Sequence, residues 1–166
     1  MRRRAARLTA VMVAALGVGA VGASVPVGAG DLPRPCDLLT RRQLTKAFGQ
    51  PAGKPDDSLG PAFCQWTLAA TPTRAPGQVN VVLETGARAK GGYATGERLA
   101  GTQAEPIADL GKKAFFAADT GTLFVLAAGP TLFYVQGNVY DAAANRATDG
   151  LKDTLTALAA KAEARL

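Results

Sequence analysis

TLFVLAAGPTLFYVQG, residues 122–137, decides the architecture of this chain. Two β-rich runs, TLFVLAA and TLFYVQG, meet at Gly129-Pro130, a dipeptide that marks a turn between strands. Read as a two-residue turn, the hairpin pairs Leu126 with Phe133 and Phe124 with Val135 on one face. The other face then carries Leu123, Val125, Leu132, Tyr134 and Gln136. Both faces are apolar, so the hairpin either lies centrally beneath two layers or shows one side to a partner. Burial is the expectation, because most apolar strand residues are core. If one side is open, Leu123, Leu132 and Tyr134 form the candidate binding face.

Upstream, KAFFAAD from Lys113 supplies a further strand. FCQWTLA alternates so that Cys64, Trp66 and Leu68 point one way and Gln65 and Thr67 the other. QVNVVLET repeats the alternation with Val79, Val81 and Leu83 inward and Asn80 and Glu84 outward, which predicts an antiparallel pair. The segment from Arg88 to Thr102 has weak helical character, interrupted by Gly91, Gly92, Gly96 and Gly101.

Helices are expected at both ends of this sheet. Thr40-Arg-Arg-Gln43 has the spacing of a capping box, flanked by Leu39 and Leu44 as a hydrophobic staple. The helix it opens carries Leu44, Ala47 and Phe48 on one face and stops at Gly49. The tail from Asp141 predicts a last helix with Leu151, Leu155, Leu158 and Ala162 as its stripe and Gly150 as its weak point. The fold expected is α+β: one domain with an antiparallel sheet of about five strands and a short N-terminal and a C-terminal helix packed on it.

The first 29 residues read as a signal peptide. Arg2, Arg3, Arg4 and Arg7 precede an apolar run from Leu8 to Ala23, and Val21-Gly22-Ala23 or Val27-Gly28-Ala29 supplies the small residues for cleavage after Ala23 or Ala29. The arginines also admit a twin-arginine reading. The run is short of the roughly twenty residues a span needs and is diluted by Gly17, Gly19 and Gly22. No stable membrane span is therefore expected after cleavage, and residues 30–166 form a single extracytoplasmic domain. Four of the 19 basic residues leave with the segment, so 15 face 13 acids and the net charge falls from +6 to about +2. Arg41-Arg42 and Lys112-Lys113 are solvated pairs, and nucleic acid is not an expected partner.

The catalytic inventory is thin. The chain has no histidine, which removes the usual general base and the commonest zinc ligand. Ser58 lies in the loop GQPAGKPDDSLGP and reads as a turn residue, as do Asp56 and Asp57 beside it. Gly17-Val-Gly19-Ala-Val-Gly22 matches a dinucleotide fingerprint but sits inside the targeting segment without a βαβ context. No metal and no cofactor is expected. Distant acids such as Glu84, Glu105 and Asp119 would support catalysis only if a cleft gathered them.

CDLLTRRQLTKAFG, the second cysteine in CQWTL, PIADLGKKAFF, LFVLAAGPTLFYVQ and the Ala/Leu-rich terminal helix carry a family resemblance. The chain resembles the small secreted proteins and lipoproteins of actinobacteria grouped as domain of unknown function 3558, over most of the mature sequence. The resemblance implies an extracytoplasmic α+β domain with an antiparallel sheet and no established activity. Many members carry a lipobox or a second cysteine pair, and this chain has neither.

Cys36 and Cys64 are expected to form a disulfide. Cys36 follows Pro33-Arg34-Pro35, which is no lipidation site. Two cysteines without histidine are too few for a metal site, and a nucleophile would lack its base. An even cysteine count in an exported chain favours pairing. The function expected is a non-catalytic module of the cell envelope that binds a protein or small ligand, with an inhibitor of a secreted enzyme or a carboxylate-dependent hydrolase as alternatives.

Overall fold

In the computed structural model, which describes residues 32–142 and 149–166, the chain opens with a single helical turn, α1 (Pro35–Leu38), and the helix α2 (Arg41–Phe48). The expected signal peptide, residues 1–29, lies outside the described residues, as does 143–148 of the expected last helix. Thr40 caps α2 as its spacing predicts: the Gln43 amide N–H donates to the Thr40 hydroxyl at 3.2 Å, and the Thr40 N–H donates to the Gln43 side chain at 2.8 Å. Gly49, at φ 66°, ends the helix in the left-handed region, and its N–H donates to the Thr45 carbonyl.

Six strands form one antiparallel sheet: β1 (Phe63–Leu68), β2 (Gly77–Thr85), β3 (Ala104–Ile107), β4 (Lys113–Ala117), β5 (Thr122–Leu126) and β6 (Thr131–Asn138). Their order across the sheet is β1-β2-β6-β5-β4-β3. The helix α3 (Gly86–Ala100) leaves β2, crosses one face of the sheet and delivers the chain through Gly101–Gln103 to β3 at the far edge. From there a meander returns until β6 closes against β2. The crossing spans four strand spacings, about 19 Å, and a helix of 15 residues is about 22 Å long. The fit is a diagonal traverse, which leaves part of that face uncovered.

The last helix, α4 (Leu151–Glu163), lies on the opposite face with α1 and α2. Leu151, Leu155, Leu158 and Ala162 are its buried stripe. It begins later than the sequence suggests: Gly150 precedes it at φ 74°, a left-handed conformation that a right-handed helix cannot contain. Asp141 instead forms an isolated antiparallel backbone β-bridge with Arg74, and the Ala75 N–H donates to the Tyr140 carbonyl. The result is three layers with two cores. Trp66, Val79, Val81, Val125 and Phe133 pack beneath α1, α2 and α4, while Ala89 and Tyr93 of α3 pack on Phe115 and Leu132 on the other face.

Two other expectations change. The strand β3 adds a sixth to the expected five; it has four residues and contains Pro106, which is tolerated because β3 is an edge strand. The β5–β6 hairpin is displaced by one residue from a two-residue turn, pairing Leu126 with Leu132, Val125 with Phe133 and Phe124 with Tyr134. Ala128, Gly129 and Pro130 span the turn, with Gly129 at φ 70°. A shift of one exchanges the faces of one strand relative to the other.

The loop after α2 runs along the outer edge of β1. The Asp56 and Gln65 backbones exchange hydrogen bonds at 2.9 Å, and the Gly53 N–H donates to the Thr67 carbonyl at 2.8 Å. These bonds occupy the donors and acceptors that an exposed edge would offer another chain. The Cys36–Cys64 disulfide joins α1 to β1, with the Cα atoms 5.1 Å apart. Among the described residues, no helix is long and apolar enough to cross a membrane.

Candidate functional site

The part of the sheet that α3 leaves uncovered begins at a close approach. A Cβ added at Gly92 would stand 2.9 Å from the Leu132 side chain and 2.5 Å from Glu84 Oε2, and one added at Gly96 would stand 2.8 Å from the Phe124 ring. Two glycines one turn apart therefore let the helix backbone settle onto β2, β6 and β5. The glycines that weaken this helix locally are what allow it to pack.

Beside this contact lies a cleft of about 390 Å³ between α3 and the sheet. Its floor is Phe124, Leu132 and Tyr134, and its helix wall is Gly92, Thr95, Gly96 and Leu99. Glu84, Thr120, Thr122 and Gln136 complete the lining. Leu99, at the end of the helix wall, is 71% exposed and forms an apolar lip.

An aromatic row leads from the core into this cleft. Tyr93 of α3 meets Phe115 edge to face at 5.2 Å, Phe115 stacks on Phe124 at 4.7 Å, and Phe124 meets Tyr134 at 5.2 Å with the rings tilted by 36°. Burial, and after it the negative charge of Glu84, holds the Tyr134 phenol above the ordinary tyrosine range. Tyr93 is raised in the same direction, by burial first and then by Glu97.

Two residues along the strands from Tyr134 and its neighbours, the same face carries amides. Gln65, Asn80 and Gln136 stand in register on β1, β2 and β6. Gln65 Nε2 donates to Asn80 Oδ1 at 3.0 Å and to Gln78 Oε1 at 3.1 Å. Gln136 Nε2 donates to the Thr120 carbonyl at 3.3 Å. The ladder fixes Gln136 at the rim of the cleft.

The candidate residues from the sequence are divided by the hairpin register. Leu132 and Tyr134 lie in the cleft, but Leu123 pairs with Val135 on the opposite face and is fully buried in the α4-side core. The displaced turn is the reason, since it places odd-numbered residues of both strands on the α4 side. Cys36 and Cys64 are bonded to each other.

The acids named in the sequence do not converge. Glu84 lines the cleft, Glu105 pairs with Lys152 of α4 at 2.8 Å, and Asp119 is exposed in the turn between β4 and β5. Asp56 accepts a hydrogen bond from the Ser58 N–H at 2.9 Å, which lowers its carboxyl pKa and gives both residues the turn role their setting suggests. Thr95, Leu99, Thr120 and Thr122 escape a sequence reading, because only the diagonal path of α3 brings them to Tyr134. Spaced glycines on a helix between strands were the available signal. No family model, curated protein or solved structure matches the chain.

Proposed function

We propose that the protein is an extracytoplasmic, non-catalytic module of the cell envelope that binds a ligand in the cleft between α3 and the sheet. The observation that carries this reading is the cleft itself, about 390 Å³ with an aromatic floor. Small-molecule sites fall within about 300–1,000 Å³ and combine apolar walls with a few placed polar groups. Phe124, Leu132 and Tyr134 supply the first, and Thr122, Gln136 and Glu84 the second. A single lining carboxylate favours binding over hydrolysis of the glycosidase kind, which uses two carboxylates facing one substrate. The arginine-led apolar segment at the N-terminus and the disulfide support export, since disulfides persist in oxidising compartments. The resemblance to the actinobacterial secreted family agrees with that location.

A fragment screen observed by amide NMR tests the reading. Binders should shift Gly92, Gly96, Tyr134 and Gln136 together, and Thr95→Trp, which fills the cleft from an exposed helix position, should abolish the shifts. Fragment shifts confined to other surfaces, unaffected by Thr95→Trp, would overturn it.

A further inference from the structure

Among the described residues, the cleft is lined by a single charge and no counter-charge. Among the described residues, Glu84 is the only ionisable acid or base lining the cavity besides the Tyr134 phenol. Among the described residues, no hydrogen bond or ion pair reaches its carboxylate. Arg88, one turn before Gly92 on α3, is exposed and makes no ion pair with it. No described lysine or arginine lines the cavity.

The position of this carboxylate depends on the fold. Glu84 is half-buried near the end of β2, opposite Leu132, and Oε2 lies where a Cβ on residue 92 would intrude. Gly92 thus makes the space that the carboxylate occupies. Next to it, Tyr134 and Phe124 present tilted rings to the same cavity. A carboxylate beside aromatic faces attracts a cation twice, through its own charge and through the negative faces of the rings. An anion would meet repulsion from Glu84 with no basic group among the described lining residues to offset it. Leu132 and the exposed Leu99 extend an apolar surface away from the charge.

We propose that the ligand of this cleft is a small organic cation, an amine or quaternary ammonium carried on an apolar body, with Glu84 as its counter-charge and Tyr134 and Phe124 as the ring faces against it. This assignment rests on the reading of the cleft as a ligand site, and the experiment separates the two.

Hexyltrimethylammonium, 1-hexanol and hexanoate share an apolar chain and differ in charge, so each is titrated into the purified protein and followed at the Gly92, Gly96 and Gln136 amides. The cation should bind at least about tenfold tighter than the alcohol, with hexanoate weakest, and added salt should erode the cation's advantage. Glu84→Gln should bring cation and alcohol to within about twofold of each other. Tyr134→Phe should keep the preference and Tyr134→Leu should reduce it. If Glu84→Gln does not fold, the cation-to-alcohol ratio and its salt dependence in the unmodified protein decide alone. Equal affinities for cation and alcohol at these amides would overturn the cation assignment and leave the cleft standing as an apolar site. Failure of all three probes to move them would overturn both.

Discussion

Asn80 and Gln136 stand directly opposite each other on β2 and β6, and the Asn80 side-chain amide donates to Gln136 Oε1 at 3.1 Å. With Gln65 donating to its other end, Asn80 is the middle rung of an amide ladder and only 7% exposed. Truncation would strand a donor on Gln65 and an acceptor on Gln136, both partly open to water. Asn80→Ala is expected to cost about 1–2 kcal/mol in urea unfolding. An unchanged midpoint and slope would remove the ladder from the stabilising interactions.

Two glycines of α3 should respond to alanine with opposite signs. Gly91 has nothing within 4 Å of an added Cβ, so Gly91→Ala gains helix propensity and should stabilise by about 0.5–1 kcal/mol. At Gly96 the same methyl would stand 2.8 Å from the Phe124 ring, which is itself stacked on Phe115 and cannot yield freely. Gly96→Ala should destabilise by about 1–3 kcal/mol despite the propensity gain. Thermal unfolding of the two variants side by side decides it, and a shift of both in the same direction would contradict the close approach of α3.

The disulfide closes a separation of 28 residues. In the chain-entropy model a loop of this size contributes about 3.5 kcal/mol. The double variant Cys36→Ala/Cys64→Ala, which leaves no lone thiol, should lose about that much, with a further loss because Cys64 is fully buried. Guanidinium unfolding measures the difference. If reducing agent and the double substitution both leave the midpoint in place, the crosslink does not constrain the unfolded chain.

Alkaline pH should weaken the fold through Tyr134 and Tyr93. Both phenols hold their protons more tightly in the folded chain, Tyr134 through burial and then Glu84, Tyr93 through burial and then Glu97. Unfolded tyrosines ionise near about pH 10. Stability is therefore intact below that value and declines as pH rises from it through the raised folded values. Absorbance at 295 nm should place the Tyr134 transition, isolated by difference with Tyr134→Phe, above the ordinary tyrosine midpoint. Glu84→Gln should move it partway back, and no movement would mean that burial acts alone.

Features set by neighbouring residues were legible in the sequence. Thr40 and Gln43 cap α2 with no help from the rest of the fold, and the alternation of Cys64, Trp66 and Leu68 matches a strand with one face in the main core. The turn at Gly129 was legible as a turn but not in its length. That one residue moved Leu123 out of the candidate face and put Phe124 in it. The strand β3 carries no alternation that four residues with a proline could display, and it exists because β4 offers it an edge. The helix α3 was legible only weakly, since intrinsic propensity counts its glycines as losses while its packing on Leu132 and Phe124 requires two of them.

The path of α3 also sets the timetable of folding. Because the chain leaves β2 for the far edge and returns, Val81 finds its partner Val135 only 54 positions later (135 − 81), so β2 waits for β6 until α3 and the whole meander have been made. Cys36 and Cys64 both precede β2, so in an oxidising compartment the crosslink can form on an emerging chain before any of the meander exists. What it ties down at that stage is α1, α2 and β1, a platform without its sheet. Closure then waits on a long-range strand pairing, the slow kind of step in sheet formation. Until β6 arrives, the edge of β2 that will receive it is open to pairing with other strands.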